Sequence, residues 1–199
     1  GLPRSAARSG SHSPSPSHRC CCRTATGRTA VPLRRTTSKS SAADQIYYDI
    51  EDKALSVTDS PIEGDYMFWD ISSRDVSYRA QKENGYYMYQ FLIKIKYFTT
   101  LEQRSLVDDK VNQIIEELGF TSETTDYEKV KTVYDYVCKH VTYAQSLDDE
   151  IVFTAYSALY NGEAVCQGYA QLMYRILKQL GISVRVIPGY GKDKTVRHG

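Results

Sequence analysis

Neither an aromatic nor an acidic residue occurs in the first 43 positions of this 199-residue chain. Such a segment cannot bury enough apolar surface to offset the entropy of ordering it, so residues 1–43 are expected to be a disordered tail. The tail is basic. It holds eight Arg/Lys and no Asp/Glu, whereas residues 44–199 hold 17 Arg/Lys against 24 Asp/Glu. The formal net charge of +1 therefore conceals a basic front and an acidic body. Acid-free segments rich in Arg and Ser also occur as organelle transit peptides, and that reading stays open beside the disordered tail. No aromatic interleaves with the tail's charges to stack on bases, so no nucleic-acid partner is expected.

Long apolar runs are missing too. A membrane-crossing helix needs about 20 consecutive apolar residues. The mean hydropathy is −0.47, and no transmembrane segment is expected. A secretory signal would need an apolar core, and none is visible. Cysteine is scarce: five in all, three of them the consecutive Cys20, Cys21 and Cys22. That is no disulfide framework. Adjacent cysteine side chains diverge, and no second Cys/His pair follows at ligand spacing, so neither a metal site nor a cofactor is expected.

What is present is periodicity. Val76, Tyr78 and Ala80 alternate with polar residues, and so do Tyr87, Tyr89, Phe91, Ile93, Ile95 and Tyr97. Period two is the strand signal, and Asn84-Gly85 between the runs predicts a hairpin. Residues 44–99 are accordingly expected to form a β-rich extension. Its tyrosine face would be a core face in preference to a ligand platform.

From residue 99 the period lengthens. Thr100 with Gln103 makes a capping box, followed by Leu106, Val107, Val111, Ile114, Ile115 and Leu118 at helical spacing up to Gly119. Thr125 with Glu128 opens a second helix, whose apolar face would hold Val130, Val133, Tyr134, Val137, Cys138 and Val141. Cys138 is thus expected in the core. A short segment over 153–160 ends at Asn161-Gly162. A third helix is expected from about Cys166 to Leu180, with Gly181 as its cap, and then a strand through Ile182, Val184 and Val186 turning at Pro188-Gly189.

The stretch that carries chemistry is Gly162-Glu163-Ala164-Val165-Cys166-Gln167-Gly168-Tyr169-Ala170. A turn of small residues delivers a cysteine to the first turn of an amphipathic helix. Unpaired backbone N–H groups and the positive end of the dipole meet the sulfur there, which favours the thiolate. The same N–H groups can stabilise an oxyanion. A buried structural cysteine is the alternative.

The pattern Ala164-Val165-Cys166-Gln167-Gly168-Tyr169-Ala170 resembles the nucleophile motif of the transglutaminase-like superfamily. The helix from Tyr134 to Tyr143, the segment Thr154-Ala155-Tyr156-Ser157-Ala158-Leu159, the stretch from Gly181 to Val186 and the histidine after it resemble that family's flanking pieces in order. The resemblance covers roughly residues 101–199, and with the β-rich stretch ahead of it looks like bacterial, often exported or cell-surface, members. It implies an α+β, papain-like core over residues 100–199, its nucleophile helix packed on an antiparallel sheet, and a protein or peptide substrate. Cys166 would be the nucleophile and His198 its base, with Gln167, Gly168 and Tyr169 supporting the motif. An acidic third member would follow on the next strand. The sequence stops one residue after His198, so on this resemblance the core is cut short and the acid is not in it. Two functions stay open: acyl transfer or hydrolysis at glutamine or amide groups through a thioester, or a degenerate binding or structural module that keeps only the shape.

The remaining polar groups have plainer readings. His12 and His18 belong to the tail, and His140 lies beside Lys139 off the apolar face, as a surface residue. Gly189-Tyr190-Gly191 lacks the following helix of a nucleotide fingerprint. Asp148-Asp149-Glu150 lacks calcium-loop spacing and reads as a solvated loop.

Overall fold

The computed structural model describes residues 39–187. Cys20–Cys22, most of the basic tail, the Pro188-Gly189 turn and His198 lie outside them. The fold is α+β, as the sequence implied. In chain order it has helices α1 (Lys39–Ala54) and α2 (Asp65–Asp70), strands β1 (Ile71–Glu83) and β2 (Tyr86–Tyr97), and helices α3 (Leu101–Leu118) and α4 (Asp126–His140). Strands β3 (Thr142–Tyr143) and β4 (Glu163–Ala164) follow, then helix α5 (Cys166–Gln179). A 3₁₀ turn (Glu150–Phe153) and a π turn (Ser157–Asn161) lie between β3 and β4.

The hairpin forms as the alternation predicted. Val76 faces Ile93 and Tyr78 faces Phe91 across an antiparallel ladder. Asn84 (φ 49°) and Gly85 (φ 86°) both take positive φ, the conformation of a two-residue hairpin turn. The tyrosine face, however, is not a core face. Tyr78 and Tyr87 keep 41% and 45% of their surface exposed. Among the described residues, no second layer covers this two-stranded ribbon beyond its base. Its rings pack on one another instead, Tyr78 against Phe91 at 5.8 Å and Tyr87 against Tyr89 at 6.5 Å.

Two further expectations for the extension are corrected. The span 44–70 contains helices α1 and α2, not strands, and residues 39–43, assigned to the tail, open α1. The apolar spacing of Ala43, Ile46, Tyr47, Ile50 and Ala54 is helical. Bonds from Gln45 to Asp49 (2.7 Å) and from Tyr47 to Glu51 (2.7 Å) support it at i,i+4.

Both capping boxes are present. The Thr100 hydroxyl accepts from the Gln103 N–H at 3.1 Å while Gln103 accepts from the Thr100 N–H at 2.8 Å. Thr125 and Glu128 repeat the arrangement at the start of α4. The core gathers Val107, Val111 and Ile114 of α3, Val133 and Val137 of α4, and Leu172, Ile176 and Leu177 of α5. Cys138 is not part of it. It is exposed, and so is Tyr134. The buried stripe of α4 runs through Val133 and Val137, and the 100° step per residue carries position 138 off that stripe.

Helix α5 ends in a Schellman motif. The Ile182 N–H reaches the Leu177 carbonyl at 3.0 Å and the Gly181 N–H reaches Lys178 at 3.0 Å. Gly181 has φ 76°. Residues 182–187 form no strand ladder among the described residues. The alternation survives as burial, since Ile182 and Val184 pack on the core.

Candidate active site

Cys166 is the first residue of α5, and three backbone devices fix it there. Val165 serves as N-cap in extended conformation (φ −93°, ψ 177°), with its N–H bonded to the Val152 carbonyl at 2.9 Å. Immediately upstream, β4 pairs in parallel with β3, setting Glu163 beside Thr142 and Ala164 beside Tyr143. Gly162 turns the chain into that ladder at φ 66°, and its carbonyl accepts from the Thr142 N–H at 2.8 Å and from the Thr142 hydroxyl at 2.9 Å. The end of α4 and the start of α5 are thereby bolted together.

The thiol is half-buried and not in a disulfide. The first turn of α5 carries no acidic side chain of its own to offset the positive end of the helix dipole.

Each neighbour in the motif has a visible structural reason. A Cβ on Gly168 would lie 2.8 Å from the Ala164 Cβ and 2.9 Å from both the Thr154 and Val152 carbonyl oxygens. Only glycine lets α5 approach the 150–154 segment so closely. Tyr169 donates its phenol proton to the Val141 carbonyl at 2.5 Å and stacks on Tyr143 at 6.2 Å. Burial raises the Tyr169 pKa, and the Cys138 thiol adds to the effect. Gln167 donates to the Trp69 carbonyl at 2.8 Å.

Sequence reasoning missed Trp69 and the rest of α2. Gln171, fully buried, also donates to the Trp69 carbonyl (2.9 Å), while its own oxygen accepts from the Ala155 N–H (3.1 Å). Tyr174 donates to Asp65 at 2.7 Å and stacks on Tyr66. The Arg175 guanidinium lies 4.9 Å above the Tyr66 ring and pairs with Asp108. At the far end of α2, buried Asp70 accepts from the Thr99 hydroxyl at 2.6 Å and lies 3.5 Å from Arg104. Burial raises the Asp70 pKa, while Thr99 and Arg104 oppose the rise. No periodicity marks a six-residue helix, and these partners lie up to 109 residues apart in sequence.

Of the remaining polar candidates, His140 and the 148–150 stretch lie among the described residues, and His12, His18 and Gly189-Tyr190-Gly191 lie outside them. His140 is exposed, its Nδ1 2.8 Å from the Tyr136 carbonyl. Asp149 caps the 3₁₀ turn by accepting from the Ile151 N–H at 3.0 Å, and exposed Glu150 lies 3.6 Å from Lys96. Among the described residues no group of three or more His, Cys, Asp or Glu gathers into a metal-binding cluster. No described helix is long and apolar enough to cross a membrane. A cavity of about 630 Å³ lies between α1 and the hairpin, lined by Ile50, Leu55, Met67 and Ile93 among others, and Cys166 does not line it.

The family model that matches this chain spans residues 114–199, from within α3 through the Cys166 helix to the last residue. That model is the transglutaminase-like superfamily, and residues 114–199 match it. Among curated proteins it is similar to the human Kyphoscoliosis peptidase, with 27% identity over 99 residues, covering 48% of this chain and 14% of the relative. The mouse Kyphoscoliosis peptidase matches at 27% over 89 residues, covering 43% of this chain and 13% of the relative. The chain thus corresponds to about one seventh of the length of the curated relatives it matches. Both are mammalian, whereas the sequence resemblance pointed to bacterial members. No solved structure matches the chain.

Proposed function

We propose that this transglutaminase-like chain is a cysteine enzyme that acylates Cys166 with a glutamine or amide carbonyl of a protein or peptide. The observation that carries the reading is the placement of Cys166. It is a half-buried thiol at the start of a 14-residue helix whose first turn carries no acidic side chain, and the β3–β4 ladder holds it there. That environment supports a thiolate and an oxyanion together. The thiolate Sγ attacks the amide carbon, and the tetrahedral oxyanion collapses with cleavage of the C–N bond. His198 takes the thiol proton and returns it to the departing nitrogen. The thioester then passes to water, giving a free acid and regenerating the thiol, or to a lysine amine, giving a new amide. The human and mouse relatives are named peptidases, which supports attack on an amide bond.

The test incubates the chain with a glutamine-containing protein, with and without a labelled primary amine. Amine incorporation, or release of ammonia or peptide, that disappears in Cys166→Ala supports the proposal. Equal product from Cys166→Ala overturns it. If wild type yields none, the reading of a shape-retaining binding module takes its place.

A further inference from the structure

The two glutamines that meet at Trp69 are not equivalent, and their difference suggests a role for the segment ahead of the matched family region. A carbonyl oxygen has two lone pairs, and Trp69 offers one each to Gln167 and Gln171. The glutamines are four residues apart and share a face of α5. Gln171 is fully buried and tied on its other side to the Ala155 N–H, so it fixes the Trp69 carbonyl in space. Helix α2 has only six residues and cannot hold itself together in isolation. Its position is set by these bonds and by the Tyr174–Asp65 and Tyr66–Tyr174 contacts. Gln167 then reaches that fixed point from the residue directly after Cys166.

We infer that the bond from Gln167 to the Trp69 carbonyl is a positioning device. Through it, α2 holds the first turn of α5 in the orientation that keeps the Cys166 thiolate favoured. This rests on Cys166 being the reactive thiol of the proposed function. Gln167 acts through Cys166 and is a positioning residue, not a catalytic one. Gln171 by contrast serves the fold as a whole, because its loss would strand the buried Ala155 N–H.

The chain reports on this bond directly, because Trp69 is its single tryptophan. The experiment uses the full chain, Gln167→Met and Gln171→Met. Methionine keeps the volume and removes the donor. Three readouts are taken: the pH profile of iodoacetamide labelling at Cys166, mapped by mass spectrometry with exposed Cys138 as internal standard; acrylamide quenching of Trp69; and thermal unfolding. Gln167→Met is expected to slow Cys166 labelling about threefold at neutral pH, the worth of one hydrogen bond, while leaving the alkaline plateau unchanged. Trp69 should become more quenchable, Cys138 should label as before, and the unfolding midpoint should move far less than in Gln171→Met. An unshifted Cys166 profile overturns the inference. So does a shift shared equally by Cys138 and accompanied by a fall in midpoint as large as that of Gln171→Met. Alkylation needs no turnover, so this outcome is independent of whether the chain forms a thioester.

Discussion

The phenol of Tyr169 donates a 2.5 Å hydrogen bond to the main-chain carbonyl of Val141, tying the Cys166 helix to the residue that ends α4. Val141 is itself buried, so its carbonyl has little water to turn to when the phenol is removed. Tyr169→Phe keeps the ring and its stacking on Tyr143 but orphans that acceptor. The expected cost is about 1–2 kcal/mol in chemical denaturation, with the fold retained. A change within error would mean that water replaces the bond.

Gly168→Ala tests the close approach of α5 to the 150–154 segment. The added carbon would meet two backbone carbonyls at 2.9 Å, and backbone cannot swing aside as a flexible side chain can. Overpacking of this kind costs about 1–3 kcal/mol. The displacement begins two residues from Cys166, so its labelling rate should change along with stability. Unfolding at the wild-type midpoint would show that the segment yields freely.

Acid sensitivity follows from the α4 capping box. The Glu128 carboxylate accepts from the Thr125 N–H and hydroxyl, which hold its pKa below the ordinary value. A folded-state pKa lowered in this way gives stability that is present above the unfolded-state value of about 4.3. It is lost as pH falls through the lower folded-state value. Glu128→Gln should flatten that part of the stability–pH curve. Thr125→Ala should cost about 1 kcal/mol at neutral pH. Both are read by urea unfolding across the acid range. Parallel wild-type and Glu128→Gln curves would contradict the assignment.

How far the sequence reaches can be argued from these same residues. Capping boxes and the Asn84-Gly85 turn are local chemistry, and each element they announce is present. The Cys166 helix start was legible for the same reason, as was the family motif. Cys138 misled because helical spacing marks a stripe without fixing its width, and position 138 falls just outside it. The tyrosine face misled because alternation reports an amphipathic strand, not whether another layer covers it. Helix α1 carried a readable i,i+3/i+4 signal that the adjacent basic tail obscured. Helix α2 and the Trp69 carbonyl had none, because the partners that fix them are long-range and one is a main-chain atom.

The exposure of Cys138 sharpens the comparison of thiols. Both Cys138 and Cys166 can meet reagent, but only Cys166 opens a helix. Cys166 should therefore label faster at and below neutral pH, because a helix start favours the thiolate. Faster labelling at Cys138 would remove the electrostatic basis of the account.

The most direct measurement of the central claim is the intact mass of the chain after incubation with a short glutamine-containing peptide, followed by peptide mapping. The account predicts an adduct on Cys166 equal to the peptide minus ammonia, cleaved by hydroxylamine as a thioester is, and absent from Cys166→Ala. An adduct of the same mass on Cys138 or another residue, persisting in Cys166→Ala, would contradict it.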